Sequence, residues 1–185
     1  LYKEEDEMRK KLIPIMLGFF VLAAFTGLQP QQNPEDAKFT KTVDTYLDTY
    51  WKFYPTAATL AGYYKYNDKL EDLSESNIVK YLESLDKFSA DLVNKIAKDK
   101  LSPEIQIDLD LLRDALDLDM LRLEKIVPQQ LNPLYYNEII LKSIRSLLVK
   151  EFAALDTRLK SAAERAKALP GFIKQAKLDL TTPPK

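Results

Sequence analysis

Asp108, Asp110, Asp114, Asp117 and Asp119 crowd into one short segment, and carboxylates at that density could chelate a hard cation such as Ca²⁺ or Mg²⁺. Wound onto a helix at ~100° per residue, however, they divide. Asp108 and Asp119 flank an apolar stripe, while Asp110, Asp114 and Asp117 lie opposite. A calcium loop needs a glycine-turned, non-helical backbone to converge its oxygens, and the segment has no glycine. With Arg113 and Arg122 at hand as partners, the expectation is a solvated, ion-paired face rather than a metal site. A second candidate, Ser84-Leu85-Asp86-Lys87, has the Ser-x-x-Lys spacing of penicillin-recognising enzymes. Those enzymes open a helix with the serine and add further motifs that this chain lacks. Leu85 falls on the apolar face of a continuous helical pattern, which leaves Ser84 on the surface.

Tyrosines offer a different kind of chemistry. Tyr63, Tyr64, Tyr66 and Asp68 cluster in one stretch, and Asn132, Tyr135 and Tyr136 in another. Aromatic rings with polar tips on ordered loops suit the wall of a binding cleft. They suit equally two loops that pack on each other, each hydroxyl finding a partner. These seven are the candidate cleft-lining residues, and no catalytic or metal-ligating residue is named.

Absences narrow the field further. The chain has no His and no Cys. That removes imidazole and thiolate zinc sites, Ser-His-Asp and Cys-His nucleophiles, and disulfides. Its 27 basic and 28 acidic residues give a net charge of −1 and are interleaved, so no electrostatic footprint for nucleic acid emerges. Four scattered glycines, Gly18, Gly27, Gly62 and Gly171, provide no phosphate-cradling loop.

The elements that must position these residues read as helices throughout. Asn33-Pro34-Glu35-Asp36 combines a capping side chain, a first-turn proline and acids at the positive dipole end. From there Phe39, Val43, Leu47, Tyr50 and Tyr54 share one wide face until Pro55 ends the helix. A short helix over 56–61 closes on Gly62, and residues 63–73 form an ordered loop. Ser74 starts a helix to about Lys98, and Ser102-Pro103-Glu104 starts another to about Val127. In that last helix Ile105, Leu109, Leu112, Leu116, Met120, Leu123 and Val127 form one stripe. Ile107, Leu111 and Leu118 form a second on the other side. A helix apolar on two sides is contacted from two sides, which points to neighbours beyond a simple bundle. Residues 132–136 read as a second aromatic loop. A helical pattern then runs from Asn137 through Phe152 and Leu155 to Leu169, Pro170-Gly171 breaks it, and a last piece covers 172–180. The expected fold is all-α, a multi-helix array with Tyr-rich ordered loops.

The N-terminal end carries a targeting pattern. Arg9-Lys10-Lys11 precedes an apolar run from Leu12 to Leu28, the arrangement of a secretory signal. Seventeen residues interrupted by Pro14 and Gly18 are short for a transmembrane helix, which needs ~20. Residues 1–28 are therefore expected to be upstream residues plus a signal peptide or an anchor, 29–38 a polar linker and helix cap, and 39–185 a helical domain. Export to the periplasm or beyond follows, with membrane attachment only if 12–28 is retained.

Tyr50-Trp51-Lys52-Phe53-Tyr54-Pro55-Thr56-Ala57-Ala58-Thr59-Leu60-Ala61-Gly62, running on to Asp68 and Leu73-Ser74, resembles the N-terminal signature of the bacterial domain-of-unknown-function 885 family. Leu101-Ser102-Pro103-Glu104, Asp108 to Leu112, Asn132 to Tyr136, and Glu151-Phe152-Ala153 through Pro170 extend the resemblance. It covers 40–185. The resemblance implies an exported all-α protein of several hundred residues, similar to zinc metallopeptidases of the His-Glu-x-x-His type, with the zinc helix downstream. Two departures matter: many members place His at the positions of Tyr54 and Tyr64, and this chain has no zinc motif. The resemblance thus implies an incomplete N-terminal portion, one wall of a substrate channel, with zinc expected in a missing C-terminal domain of the same polypeptide. That domain and peptide substrate would be its partners. A freestanding periplasmic binding module and a membrane-anchored scaffold are the alternatives.

Overall fold

The computed structural model describes residues 33–180, and the signal or anchor expected within 1–28 lies outside them. Residues 35–180 belong to one compact unit. Among the described residues there are helices and turns and no strand, as the periodicities predict.

Helix α1 spans Pro34–Phe53, with Glu35 and Asp36 in its first turn. It therefore begins inside the stretch expected to be linker. These two carboxylates reach beyond their own helix: Glu35 accepts from the Ala97 amide at 2.8 Å and Asp36 from the Ser102 amide at 2.9 Å. Helix α2, Pro55–Ala61, follows immediately and closes on Gly62 at φ 92°, a left-handed cap open to glycine without steric penalty. After a 3-10 turn at Tyr64–Tyr66 comes α3, Glu75–Asn94. Ser74 occupies its cap position without a side-chain bond to a helix backbone N–H. The helix also stops short of Lys98, because residues 98–100 form a separate 3-10 turn.

Helix α4, Pro103–Leu121, packs on α3 and runs into one π-helical turn over Arg122–Ile126. The turn ends at Val127, whose φ of 43° is left-handed. The four-residue α5, Pro128–Leu131, leads to α6, Pro133–Val149. Asn132 caps α6 by accepting from the Leu134 amide at 3.0 Å. Tyr135 and Tyr136 therefore sit in the first turn of a helix and not in a loop.

Two further expectations are corrected at the C-terminal end. The helical pattern does not continue from Asn137 to Leu169: α6 stops at Val149 and α7 begins at Leu155. Arg158 explains the break, since its guanidinium donates to the carbonyls of Leu147, Leu148 and Ala153 and so satisfies the exposed end of α6. Nor does Pro170-Gly171 end a helix, because α7 runs unbroken over Leu155–Asp179. Pro170 removes one helical N–H. Beyond it, Phe172 packs on Tyr136 with ring centroids 5.3 Å apart, and Asp179 accepts from the Tyr136 hydroxyl at 2.7 Å. Those anchors hold the helix on course past the proline. Tyr136 with Asp179, Ser143 with Arg165 and Leu147 with Arg158 set α6 and α7 as an antiparallel hairpin.

The core lies between α1, α3 and α4. Phe53 of α1 stacks on Tyr81 of α3 at 3.9 Å, Tyr46 meets Phe88 edge-on at 5.7 Å, and Leu85, Leu92, Leu109 and Leu116 are fully enclosed. Leu109, Leu112, Leu116 and Leu123 of the first α4 stripe turn inward. Ile107, Leu111 and Leu118 of the second stripe are each about 60% exposed.

Candidate functional site

Two adjoining depressions meet at Tyr50 and Arg122 and form one groove. The first, about 380 Å³, lies between α1, α2, α6 and the π turn, with Tyr54, Glu71, Tyr135 and Lys142 in its wall. The second, about 300 Å³, lies between α1 and α4 over Leu47, Trp51, Ala115 and Leu118. Helix α1 and the Tyr54 that follows it supply both with one aromatic edge because Tyr46, Tyr50 and Tyr54 recur every four residues. Tyr50 and Tyr54 have ring centroids 5.0 Å apart.

Asp119 lies beneath the groove. It is buried, and accepts from Tyr54 at 2.8 Å on one carboxylate oxygen and from Tyr81 at 2.6 Å on the other. Both hydroxyls are held well above the ordinary tyrosine range, first by burial and then by the Asp119 charge. This corrects the expectation that Asp119 joins a solvated acidic face. Its spacing carried the signal: Asp119 falls three residues after Leu116 and four before Leu123, on the buried stripe itself.

Glu71 forms the floor of the first depression. Its two oxygens accept from the Thr56 amide at 2.9 Å and the Thr56 hydroxyl at 2.8 Å. The carboxylate thus caps α2 through space, since Tyr54 at the cap position offers no side-chain bond. Burial raises the Glu71 carboxyl above its ordinary range, with the Thr56 bonds opposing. Tyr135 faces the same space and is pushed up to about 12, chiefly by burial and then by the Glu71 charge.

Cations line the groove unevenly. Lys142 pairs with Glu138 at 2.7 Å. Arg122 is exposed, and its side chain makes no ion pair or hydrogen bond among the described residues. By contrast Arg113 approaches Asp110 at 3.8 Å, and Lys98 approaches it at 2.6 Å, the ion-paired face that the aspartate spacing led one to expect. Among the described residues no three His, Cys, Asp or Glu side chains converge as metal ligands. Ser84 donates back to the Lys80 carbonyl at 2.9 Å and forms no pair with Lys87.

The seven candidate cleft residues are dispersed. Tyr63 and Tyr66 donate to the same oxygen of Asp48 at 2.7 and 2.9 Å, joined there by Lys65 at 2.7 Å. The Lys65 and Tyr63 bonds hold the Asp48 carboxyl below its usual range. Tyr64 stacks on Phe152 at 4.0 Å, tying the loop to the α6–α7 connection. Asp68 pairs with Lys69 on the surface at 2.9 Å. Asn132 is the α6 cap, Tyr136 is buried against α7, and Tyr135 alone of the seven lines the groove. Tyr66 borders a separate depression of about 400 Å³ rimmed by Lys52, Lys69 and Lys80. The residues that build the groove, Tyr50, Tyr54, Glu71 and Arg122, come from three segments that no local motif connects.

Residues 55–184 match the family described as bacterial protein of unknown function DUF885, and the chain belongs to that family. Among solved structures it is similar to one from Shewanella oneidensis described as a lipoprotein of unknown function, with a TM-score of 0.72 at 24% identity. The similarity covers 78% of this chain and 26% of that one, so this chain spans about a quarter of that protein's length. Among curated proteins none matches.

Proposed function

We propose that this helical array is the N-terminal, non-catalytic portion of an exported metallopeptidase-like protein, and that its groove forms one wall of a peptide channel. The observation that carries the reading is the groove itself: an aromatic edge from α1, polar groups at its floor and an unpaired cation at its centre. A peptide backbone and mixed side chains need that combination of apolar wall and sparse polar contacts. Membership of the family and the greater length of the Shewanella structure support a larger helical parent. That structure's description as a lipoprotein supports an exported or membrane-associated setting. Zinc would belong to the rest of the parent, because among the described residues no His, Cys, Asp or Glu side chains form a ligand set for it.

Trp51 is the single tryptophan and borders the groove, so its emission reports occupancy. A mixture of short peptides should change that emission saturably, and the chain should hydrolyse none of them with or without added zinc. Unchanged emission up to millimolar peptide would sink the channel reading, and robust hydrolysis by pure chain would sink the non-catalytic one.

A further inference from the structure

Three features converge at the centre of the groove. Arg122 opens the π-helical turn Arg122–Ile126, a distortion that widens the backbone and is frequent at functional sites. The turn closes on Val127, a β-branched residue held at φ 43°, where side-chain and backbone crowding disfavours valine. Pro128 then re-enters the groove wall. Arg122 itself continues α4 into the junction of the two depressions, and the strained turn carries the residues after it along a path that an unstrained helix would not take.

The charges around Arg122 are otherwise settled. Asp119, one turn earlier, is turned inward to Tyr54 and Tyr81. Glu71 is occupied by Thr56, with the Arg165 charge nearby. Glu138 is paired with Lys142. One guanidinium remains without a carboxylate, beside the Tyr50 ring and within the same groove as Tyr135. A planar fork of N–H donors is matched to a carboxylate, which it binds bidentately.

We propose that Arg122 is the carboxylate anchor of the groove, taking either the C-terminal carboxylate of a peptide or an acidic side chain while the aromatic edge of α1 holds the adjacent apolar residue. The inference rests on the peptide-channel reading and adds the class of peptide.

Three N-acetylated tripeptides test it by Trp51 emission: Ala-Leu-Phe with a free terminal carboxylate, the same peptide as its carboxamide, and Ala-Leu-Glu as its carboxamide. At least one acid should bind about tenfold more tightly than the neutral carboxamide, the size of one charge-assisted bidentate contact. Which acid it is identifies terminal or side-chain recognition. Arg122→Ala should erase the preference while leaving the neutral peptide's affinity within about twofold, and Lys80→Ala, on the rim of the separate depression, should leave the preference intact. Arg122 is exposed, and Arg122→Gln provides a second variant should the alanine form be poorly folded. Equal binding of all three peptides overturns the anchor but leaves the channel standing. A preference that survives Arg122→Ala and Arg122→Gln, or one erased by Lys80→Ala, also overturns it. No binding of any peptide overturns both.

Discussion

Tyr81 on α3 and Asp119 on α4 share a buried hydrogen bond of 2.6 Å, and the other Asp119 oxygen is held at 2.8 Å by Tyr54, the residue joining α1 to α2. One carboxylate thus ties three helices together and fixes the aromatic edge from which the groove is built. Truncating either hydroxyl leaves that carboxylate with one buried donor in place of two. Tyr81→Phe and Tyr54→Phe should each destabilise the chain by about 1–3 kcal/mol in urea unfolding near neutral pH.

The same pair sets an alkaline limit on stability. Both tyrosines hold their protons more firmly when folded than when unfolded. Above the unfolded value of about 10 the unfolded chain loses these protons first, so the native state binds more protons and stability falls as pH rises. Their contribution is fully present below pH ~10 and is lost above it, at about 1.4 kcal/mol per pH unit for each tyrosine. Tyr81→Phe should flatten the slope by about that amount between pH 10 and 11, measured by urea unfolding at fixed ionic strength. An unchanged slope would show that these hydroxyls ionise as readily folded as unfolded.

Arg165 is fully buried and meets no carboxylate directly. It donates to the carbonyls of Lys69 at 2.7 Å, Ser143 at 2.8 Å and Pro55 at 2.9 Å, and to the Thr59 hydroxyl at 2.7 Å. Burial pulls its guanidinium down to about 10, with the Glu71 and Asp68 charges opposing. Arg165→Ala strands those acceptors and opens a cavity, and should destabilise by roughly 3–5 kcal/mol. Arg165→Lys should recover only part, since one ammonium cannot span the set. Chemical denaturation of both variants checks this, and wild-type stability in the lysine form would refute it.

Val127 stores backbone strain that glycine would relieve. Val127→Gly should stabilise the chain by up to about 1 kcal/mol, the relief being partly offset by glycine's greater unfolded-state entropy. For a domain of this size that is a rise in Tm of about 2–4 °C. A fall in Tm would show that the valine side chain contributes more by packing than the backbone gains by relaxing.

The exposed second stripe of α4 predicts self-association. Replacing Ile107, Leu111 and Leu118 together by Gln should lower light scattering and dye binding while changing stability by less than about 1 kcal/mol, because these side chains are already mostly in water. A large loss of stability would mean that the stripe is covered within this chain.

Helix existence was legible from periodicity because each helix buries one face, and α1 to α4 begin close to where their proline and cap signals place them. The departures have tertiary causes. Pro170 is carried through a helix by Phe172 and Asp179 beyond it, and the break after Val149 is closed by Arg158 from the next helix. The second α4 stripe was expected to be contacted like the first, but its residues are about 60% exposed, because apolar spacing alone says nothing of what covers a face. The groove was the least legible feature. Asp119 could have been found on the apolar stripe, but Glu71 and Arg122 acquire meaning only when 15 residues separate Glu71 from its partner Thr56 and a π turn re-aims the chain. The tyrosine clusters were conspicuous by composition, and most of them serve local anchoring to Asp48, Phe152 and Asp179.

Arg165 reaches the carbonyls of Lys69 and Pro55 across 96 and 110 residues of chain. During synthesis the carbonyls of Pro55 and Lys69 therefore emerge from the ribosome long before their donor does. Until α7 arrives, the short helix and tyrosine turn at 55–73 must wait in water, half-made. Helix α7, translated after the other six, is the one that latches the first part of the fold.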